Sequence, residues 1–280
     1  MTTAPPFRLS GLPVGISYSM GKSSKWQIWA VIMGLLPRPK HIAVFQADTG
    51  DEHDWSYEDA IGVREMCRSA GIPYFECRDK ETLSCHMIQV VQSGANRADQ
   101  PPLWIDKGLS RGRVQNRCTL RFKVAPMRRA QSEWLDSLGL PKRMEKWIGF
   151  GHDERRRVKP NDVAWERLRF PAIELNRTRE QLTDDLKRWQ TSCPPFSMCV
   201  HCPHKNITRL IETPENNYKA ASEYDEAIRD LDTIGLTDGA AYVSRTLVPL
   251  KHRDRLIQIG QSQPMLPGFE PNCDGGHCFL

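Results

Sequence analysis

Residues 12–18, LPVGISY, and residues 41–47, HIAVFQA, are short apolar runs separated by SSKWQIWAVIMGLL, a stretch apolar almost all round. The outer runs read as buried strands, and the middle stretch reads as a helix packed under a sheet. Strands alternating with helices in this rhythm imply a parallel sheet with right-handed crossovers, because parallel neighbours need a crossover connection where antiparallel ones need only a hairpin. IPYFEC (72–77) and MEKWIGF (144–150) are further strand candidates, and YEDAIGVREMCRSAG is an amphipathic helix that ends at Gly71. The fold class predicted is α/β: a parallel sheet flanked by helices, with a cysteine-bearing C-terminal part.

The rhythm weakens after the third strand. Residues 94–117 gain Pro, Gly and Arg and read as a long loop over the site. A helical stretch from Thr119 to Leu138 follows, started or interrupted at Pro126, and Thr178 with Gln181 forms a capping box for the next helix. CPPFSMCVHCPHKN is a tight cysteine loop, Pro214 to Leu231 is helical, and the last 40 residues read as irregular. The texture divides the chain into a nucleotide-binding part, residues 1–175, and a helical or irregular part with cysteines, residues 176–280.

MTTAPPFRLS lacks the apolar core of a signal peptide and no run reaches membrane-spanning length, so a cytoplasmic protein without a membrane partner is expected. In that reducing setting nine cysteines are thiols or metal ligands rather than a disulfide framework. With 39 basic and 34 acidic residues, the charge weakly favours anionic ligands. The basic residues also cluster: Lys107, Arg111, Arg113, Arg117, Arg121, Lys123, Arg128 and Arg129 form one group, and Arg155, Arg156, Arg157 and Lys159 another. Either a solvated face or a nucleic-acid surface has this composition.

SYSMGKSS, residues 17–24, joins the first strand to the first helix. A Walker loop needs a glycine five residues before Gly21, and that position is Ile16, with Gly15 one place too early. Ser19, Met20, Gly21, Lys22, Ser23 and Ser24 instead resemble the Ser-Gly-Gly-Lys-Asp-Ser loop of the adenine nucleotide alpha hydrolase superfamily, preceded by Ser17 and Tyr18. In either loop small residues bring the backbone close to phosphate, and a helix N-terminus adds partial positive charge. Met20 stands where glycine is usual and Ser23 where aspartate is usual, and Met20 takes a positive φ only at a cost.

More motifs follow in order: Asp48-Thr49-Gly50 with Glu52, Cys118-Thr119, Lys123-Val124-Ala125-Pro126, Ile148-Gly149 with Asp153, Glu154 and Arg157, then Cys199 and Cys202, and finally Cys273 and Cys278 around His277. Together they resemble the phosphoadenosine phosphosulfate reductase family, including its sulfurtransferase-like bacterial and phage members, from about residue 14 onward. That resemblance implies a core holding ATP or a sulfonucleotide at the C-terminal ends of its strands. Ser17, Ser19, Gly21, Lys22, Ser23 and Ser24 would hold phosphate, with Lys22 catalytic. Asp48, Thr49 and Gly50 would line the nucleotide pocket, and Gly149, Asp153 and Arg157 its rim.

The same resemblance makes Cys118, Cys199 and Cys202 metal ligands, with Cys273 or Cys278 supplying the fourth. Four thiolates suit a [4Fe–4S] cluster or a zinc ion, and His201, His204 or His277 would substitute for a thiolate at zinc. One terminal cysteine would then be left to carry a reactive sulfur, its thiolate favoured by positive surroundings.

Three functions fit these readings. The first is an ATP-dependent sulfurtransferase that uses Mg and adenylates an acceptor, with nucleic acid an acceptor suggested by the arginine-rich segment, and takes sulfur from a separate donor. The second is a sulfonucleotide reductase fed by a thiol reductant. The third is a nucleotide-sensing or nucleic-acid-binding module whose loop no longer hydrolyses ATP. Nothing in the sequence fixes the oligomeric state.

Overall fold

The computed structural model of the chain describes residues 7–161 and 163–262. Cys273, His277 and Cys278 lie outside the described residues. The first strand, β1 (Val14–Tyr18), leads into α1 (Lys22–Ile32), and β2 (Ile42–Asp48) leads into α2 (Asp54–Ser69). β3 (Tyr74–Arg78) and α3 (Leu83–Ser93) follow, then β4 (Trp104–Asp106), β5 (Arg111–Arg113) and α4 (Ala125–Ser137). The second half contributes β6 (Met144–Ile148), β7 (Glu166–Arg169), α5 (Pro171–Glu174), α6 (Arg179–Arg188), α7 (Ile207–Ile211), α8 (Glu215–Ala227), β8 (Ala241–Tyr242) and α9 (Arg253–Ser262).

Five strands form an all-parallel sheet in the order β3-β2-β1-β6-β7. The period of two sorts β2 between two cores: Ile42 and Val44 join α1, α2 and α6 on one face, while Ala43, Phe45 and Ala47 join α4 on the other. All seven residues of β2 are buried, as expected of a strand covered on both faces. α1 is buried from Ser24 through Val31 because the sheet lies on one side and α6 on the other. The α/β expectation therefore holds in class, with helices on both faces of a parallel sheet.

Several local readings need correction. Residues 94–117 contain the β4–β5 hairpin, which pairs with β8 to make a small antiparallel sheet. Its strands are only three residues long, WID and RGR, too short to register as apolar runs, and the second has no apolar side chain at all. α9 falls within the supposedly irregular C-terminal stretch; only Leu256 of it is buried, which left little apolar periodicity to read. β7 was missed for a similar reason, since its sequence is ERLR. The helix from Thr119 opens as a π turn over Leu120–Val124 before becoming α4.

The compositional division at residue 175 is crossed in both directions. α6, beyond it, packs on α1, and Leu83, Met87, Val90 and Phe122, before it, share a hydrophobic core with Leu210, Tyr218, Tyr224 and Leu256. The cysteine loop is thus held against the sheet by packing rather than hung on a separate body.

A candidate nucleotide cavity with three cysteines

The strand order reverses direction at β1 and β6, where chain connections leave to opposite sides. In open α/β sheets a crevice opens outside the strand ends at such a point. A cavity lies there, lined by the loop after β1, the residues after β6, the π turn, and the cysteine loop.

In the β1–α1 loop Met20 adopts φ +57°, the left-handed region where glycine is usual, yet its side chain is fully buried. Gln46 Nε2 donates to its Sδ at 3.2 Å. Core contacts hold this strained backbone in place. Ser19 N donates to Ser24 Oγ at 3.2 Å, and Ser24 Oγ donates to the Gly21 carbonyl at 2.9 Å, folding the loop onto the helix. Gly21 caps α1 without a side-chain hydrogen bond, so the first amides of the helix keep their donor capacity. Gly21 packs closely on the cysteine loop, where a Cβ would sit 3.3 Å from Ser197 Cβ.

Two groups at this end of the cavity have no partner. Ser17 Oγ is buried without a hydrogen bond, and Lys22 makes no ion pair or side-chain hydrogen bond among the described residues. Lys25, one position along the buried helix face, is by contrast committed: its ammonium donates to Asp59 Oδ1 at 2.6 Å, to the Ser192 carbonyl at 2.8 Å and to Ser192 Oγ at 2.9 Å. A cation left unpaired beside a helix N-terminus and an unsatisfied hydroxyl is equipped to receive an anion.

The remaining candidates divide. Ser17, Ser19, Gly21, Lys22, Ser23 and Ser24 line the cavity, as do Thr49, Gly149 and Arg157. Asp48, Gly50 and Asp153 do not. Asp48 Oδ1 accepts from Gly50 N at 2.8 Å and Tyr57 OH at 2.9 Å, and Oδ2 accepts from Arg78 Nε at 2.9 Å. Its carboxylate is thus turned to β3 and α2 and shapes the β2–α2 loop. Gly50, at φ +83°, lies against Thr82, where a Cβ would meet Cγ2 at 2.5 Å. Asp153 Oδ1 accepts from Arg179 N at 2.9 Å and so caps α6. Gly149 is needed for close packing, since a Cβ would come within 2.5 Å of Ser24 N. Arg157 lies 4.4 Å from the centre of the Phe150 ring and pairs with Glu154, whose Oε2 also accepts from Gly151 N at 3.1 Å.

Cys118, Cys199 and Cys202 line the same cavity. Cys202 N donates to the Cys199 carbonyl at 3.1 Å, closing the C-x-x-C turn. Cys199 is tied to the β2–α2 loop by an antiparallel bridge with Glu52, by Val200 N donating to the Asp51 carbonyl at 2.7 Å, and by its thiol lying 3.1 Å from Thr49 Oγ1. Just before Cys199, Ser197 Oγ donates to the Ser19 carbonyl, so the cysteine loop is fastened to the β1–α1 loop as well. Burial pushes the Cys199 thiol up, and the Glu52 carboxylate adds to that; burial pushes Cys118 up to about 11, opposed by Lys123. Both are therefore thiols rather than thiolates near neutrality. Among the described residues no three His, Cys, Asp or Glu side chains stand close enough together to hold a metal ion.

Behind the cysteines lies a buried polar chain that the sequence did not reveal. Lys205 Nζ reaches His53 Nε2 at 2.7 Å and donates to the Val200 carbonyl at 2.7 Å. His53 Nδ1 lies 3.2 Å from Asn217 Oδ1, so the neutral ring donates to Asn217 and accepts from Lys205. Burial, reinforced by the Lys205 ammonium, pushes His53 down to about 3. Lys146 was also missed; it lines the cavity from the middle of β6, and burial lowers its pKa against the opposing pull of Glu166. Its signal was present in MEKWIGF, where a lysine stands inside a buried strand.

No family model and no curated protein matches this chain. Among solved structures it is similar to the U34-tRNA thiolase NcsA from Methanococcus maripaludis with its [4Fe-4S] cluster, at 10% sequence identity and a TM-score of 0.41, over 89% of this chain and 74% of that chain. No described helix is long and apolar enough to cross a membrane.

Proposed function

We propose that the cavity binds ATP and that the protein is an ATP pyrophosphatase of the sulfurtransferase type, activating an acceptor oxygen for replacement by sulfur. One observation carries the reading: the unpaired Lys22 ammonium and the partnerless Ser17 hydroxyl flank the open N-terminus of α1 at the point where the sheet changes direction. The motif resemblance to the phosphoadenosine phosphosulfate reductase family supports the choice of an adenine nucleotide.

In this reading Lys22 and the first amides of α1 neutralise the leaving pyrophosphate as an acceptor oxygen attacks the α-phosphorus. The product is an adenylated acceptor, and a sulfur nucleophile then displaces AMP from it. Among the described residues Glu154 is the one carboxylate lining the cavity, and it is already engaged by Arg157 and Gly151, so magnesium would be held chiefly by triphosphate oxygens and water.

Cys118, Cys199 and Cys202 fit a cysteine-held cluster in donor type and in lining one cavity. They would hold it together with Cys273 or Cys278, and gathering them onto one group requires the cysteine loop to rearrange. When bound, a [4Fe–4S] cluster would supply a sulfur-carrying site next to the adenylated acceptor. A zinc ion in the same place would be structural.

Pyrophosphate release from ATP, measured with and without a polynucleotide acceptor, tests the reading. It is expected to disappear in Lys22→Ala. Sulfite release from a sulfonucleotide with a thiol reductant, without ATP cleavage, would instead make the protein a reductase.

A further inference from the structure

The segment that leads into the cavity from the β4–β5 hairpin carries a one-sided row of cations. From residue 111 to 118 exposure alternates: Arg111, Arg113, Gln115 and Arg117 face solvent, while Gly112, Val114, Asn116 and Cys118 are partly covered. β5 ends at Arg113, but Val114 N donates to the Leu103 carbonyl and Arg117 N to the Gln100 carbonyl, both at 3.0 Å, so the segment stays alongside residues 100–103 as far as Arg117. β5 is the outer strand of its sheet, so its outer edge pairs with no described strand.

The charge on this row is not consumed locally. Neither Arg111 nor Arg117 pairs with a carboxylate among the described residues. The acids nearby are occupied: Asp106 Oδ1 accepts from Gly108 N at 2.9 Å, and Asp238 is held by Lys107. Arg113 and Arg245 lie 5.1 Å and 5.6 Å from the centre of the Trp104 ring, setting guanidinium groups against an aromatic surface beside the row. The row also touches the cavity. Arg113 Nε donates to the Pro102 carbonyl at 3.3 Å and its Nη2 lies 2.7 Å from His204 Nδ1, and both Pro102 and His204 line the cavity.

We propose that Arg111, Arg113 and Arg117 form a track for the backbone of a single-stranded polynucleotide, which delivers one unpaired base to the cavity mouth. A polyanion matches a line of arginines that no described carboxylate neutralises, and guanidinium and indole faces stack on bases. A duplex is disfavoured because a paired base cannot reach a cavity set among strand ends without leaving its helix. The single row also contacts one strand rather than two. The inference deepens the proposed function by naming the acceptor class, and it is tested without ATP.

Fluorescence anisotropy of the full chain, with labelled oligo(dT), oligo(rU) and a duplex of equal length, reads the track directly. The single strands are expected to bind about 10-fold more tightly than the duplex, and the tighter of the two identifies the sugar. Arg111→Ala with Arg117→Ala should weaken single-strand binding about 10-fold and flatten the log–log salt dependence by about 1.4, at roughly 0.7 per lost phosphate contact. Arg64→Ala with Arg68→Ala, on α2 away from the row, should leave both unchanged. Duplex binding as tight as single-strand binding, an unaltered salt slope in the Arg111/Arg117 variant, or no polynucleotide binding by wild type would each overturn the proposal. ATP titrated into the same variants reports the cavity independently, so loss of the track and loss of the nucleotide site are separate results.

Discussion

Thr49 Oγ1 lies 3.1 Å from Cys199 Sγ, joining the loop that closes β2 to a cysteine loop 150 residues later. Cys199 Sγ also lies 3.7 Å from Glu52 Oε1, which in turn is 3.4 Å from Lys123 Nζ. The thiol therefore sits in a short polar chain that runs from the β2–α2 loop to the π turn carrying Lys123.

Removing the hydroxyl at residue 49 should loosen the cysteine loop. Thr49→Val keeps the shape of the side chain and is expected to cost about 1 kcal/mol in denaturant unfolding. Alkylation of Cys199 by iodoacetamide, followed by mass spectrometry, should accelerate several-fold. An unchanged alkylation rate would show that the bridge to Glu52 holds the loop without Thr49.

Met20 gives a prediction opposite to the one its loop position suggests. Glycine would relieve the left-handed backbone by about 1 kcal/mol, but it would remove a buried side chain worth about 2–5 kcal/mol. Met20→Gly, although closer to the usual loop, should lower stability by about 2–3 kcal/mol. A stabilised variant in urea titration would mean that backbone strain outweighs packing here.

His53 should make the fold sensitive to acid. It is neutral in the folded state, held down to about 3 by burial and by Lys205, whereas in the unfolded chain it titrates near 6.5. As pH falls from about 6.5 toward 3, the unfolded state gains a proton that the folded state refuses, so stability is lost across that window. Relative to His53→Gln, which does not titrate, wild type should lose about 2 kcal/mol between pH 7 and pH 5. Parallel unfolding curves for the two proteins at both pH values would contradict this.

What the sequence made legible follows from how locally each feature is encoded. β1, α1 and β2 were readable because their apolar residues are contiguous and nearly all buried. The C-x-x-C turn at Cys199 and Cys202 was readable because both cysteines sit on one short loop. Asp48 was misread for a non-local reason: its carboxylate faces Arg78 on the neighbouring β3, and strand order is invisible to a reading of strand ends. The His53–Lys205–Asn217 chain joins residues 152 and 164 positions apart, and no local pattern announces it. The arginine row was visible as a charge cluster, but its one-sided alternation emerged only once residues 111–113 were seen to be a strand.

Lys22 offers the most direct measurement of the nucleotide claim, because it lines the cavity without holding the fold together. Calorimetric titration of Mg-ATP into wild type and Lys22→Ala, with thermal midpoints recorded for both, separates binding from folding. The account predicts one ATP per chain in wild type, an affinity about 10–100-fold weaker in the variant, and midpoints that agree. Equal affinity in the two proteins, or no binding of ATP by wild type, would contradict it.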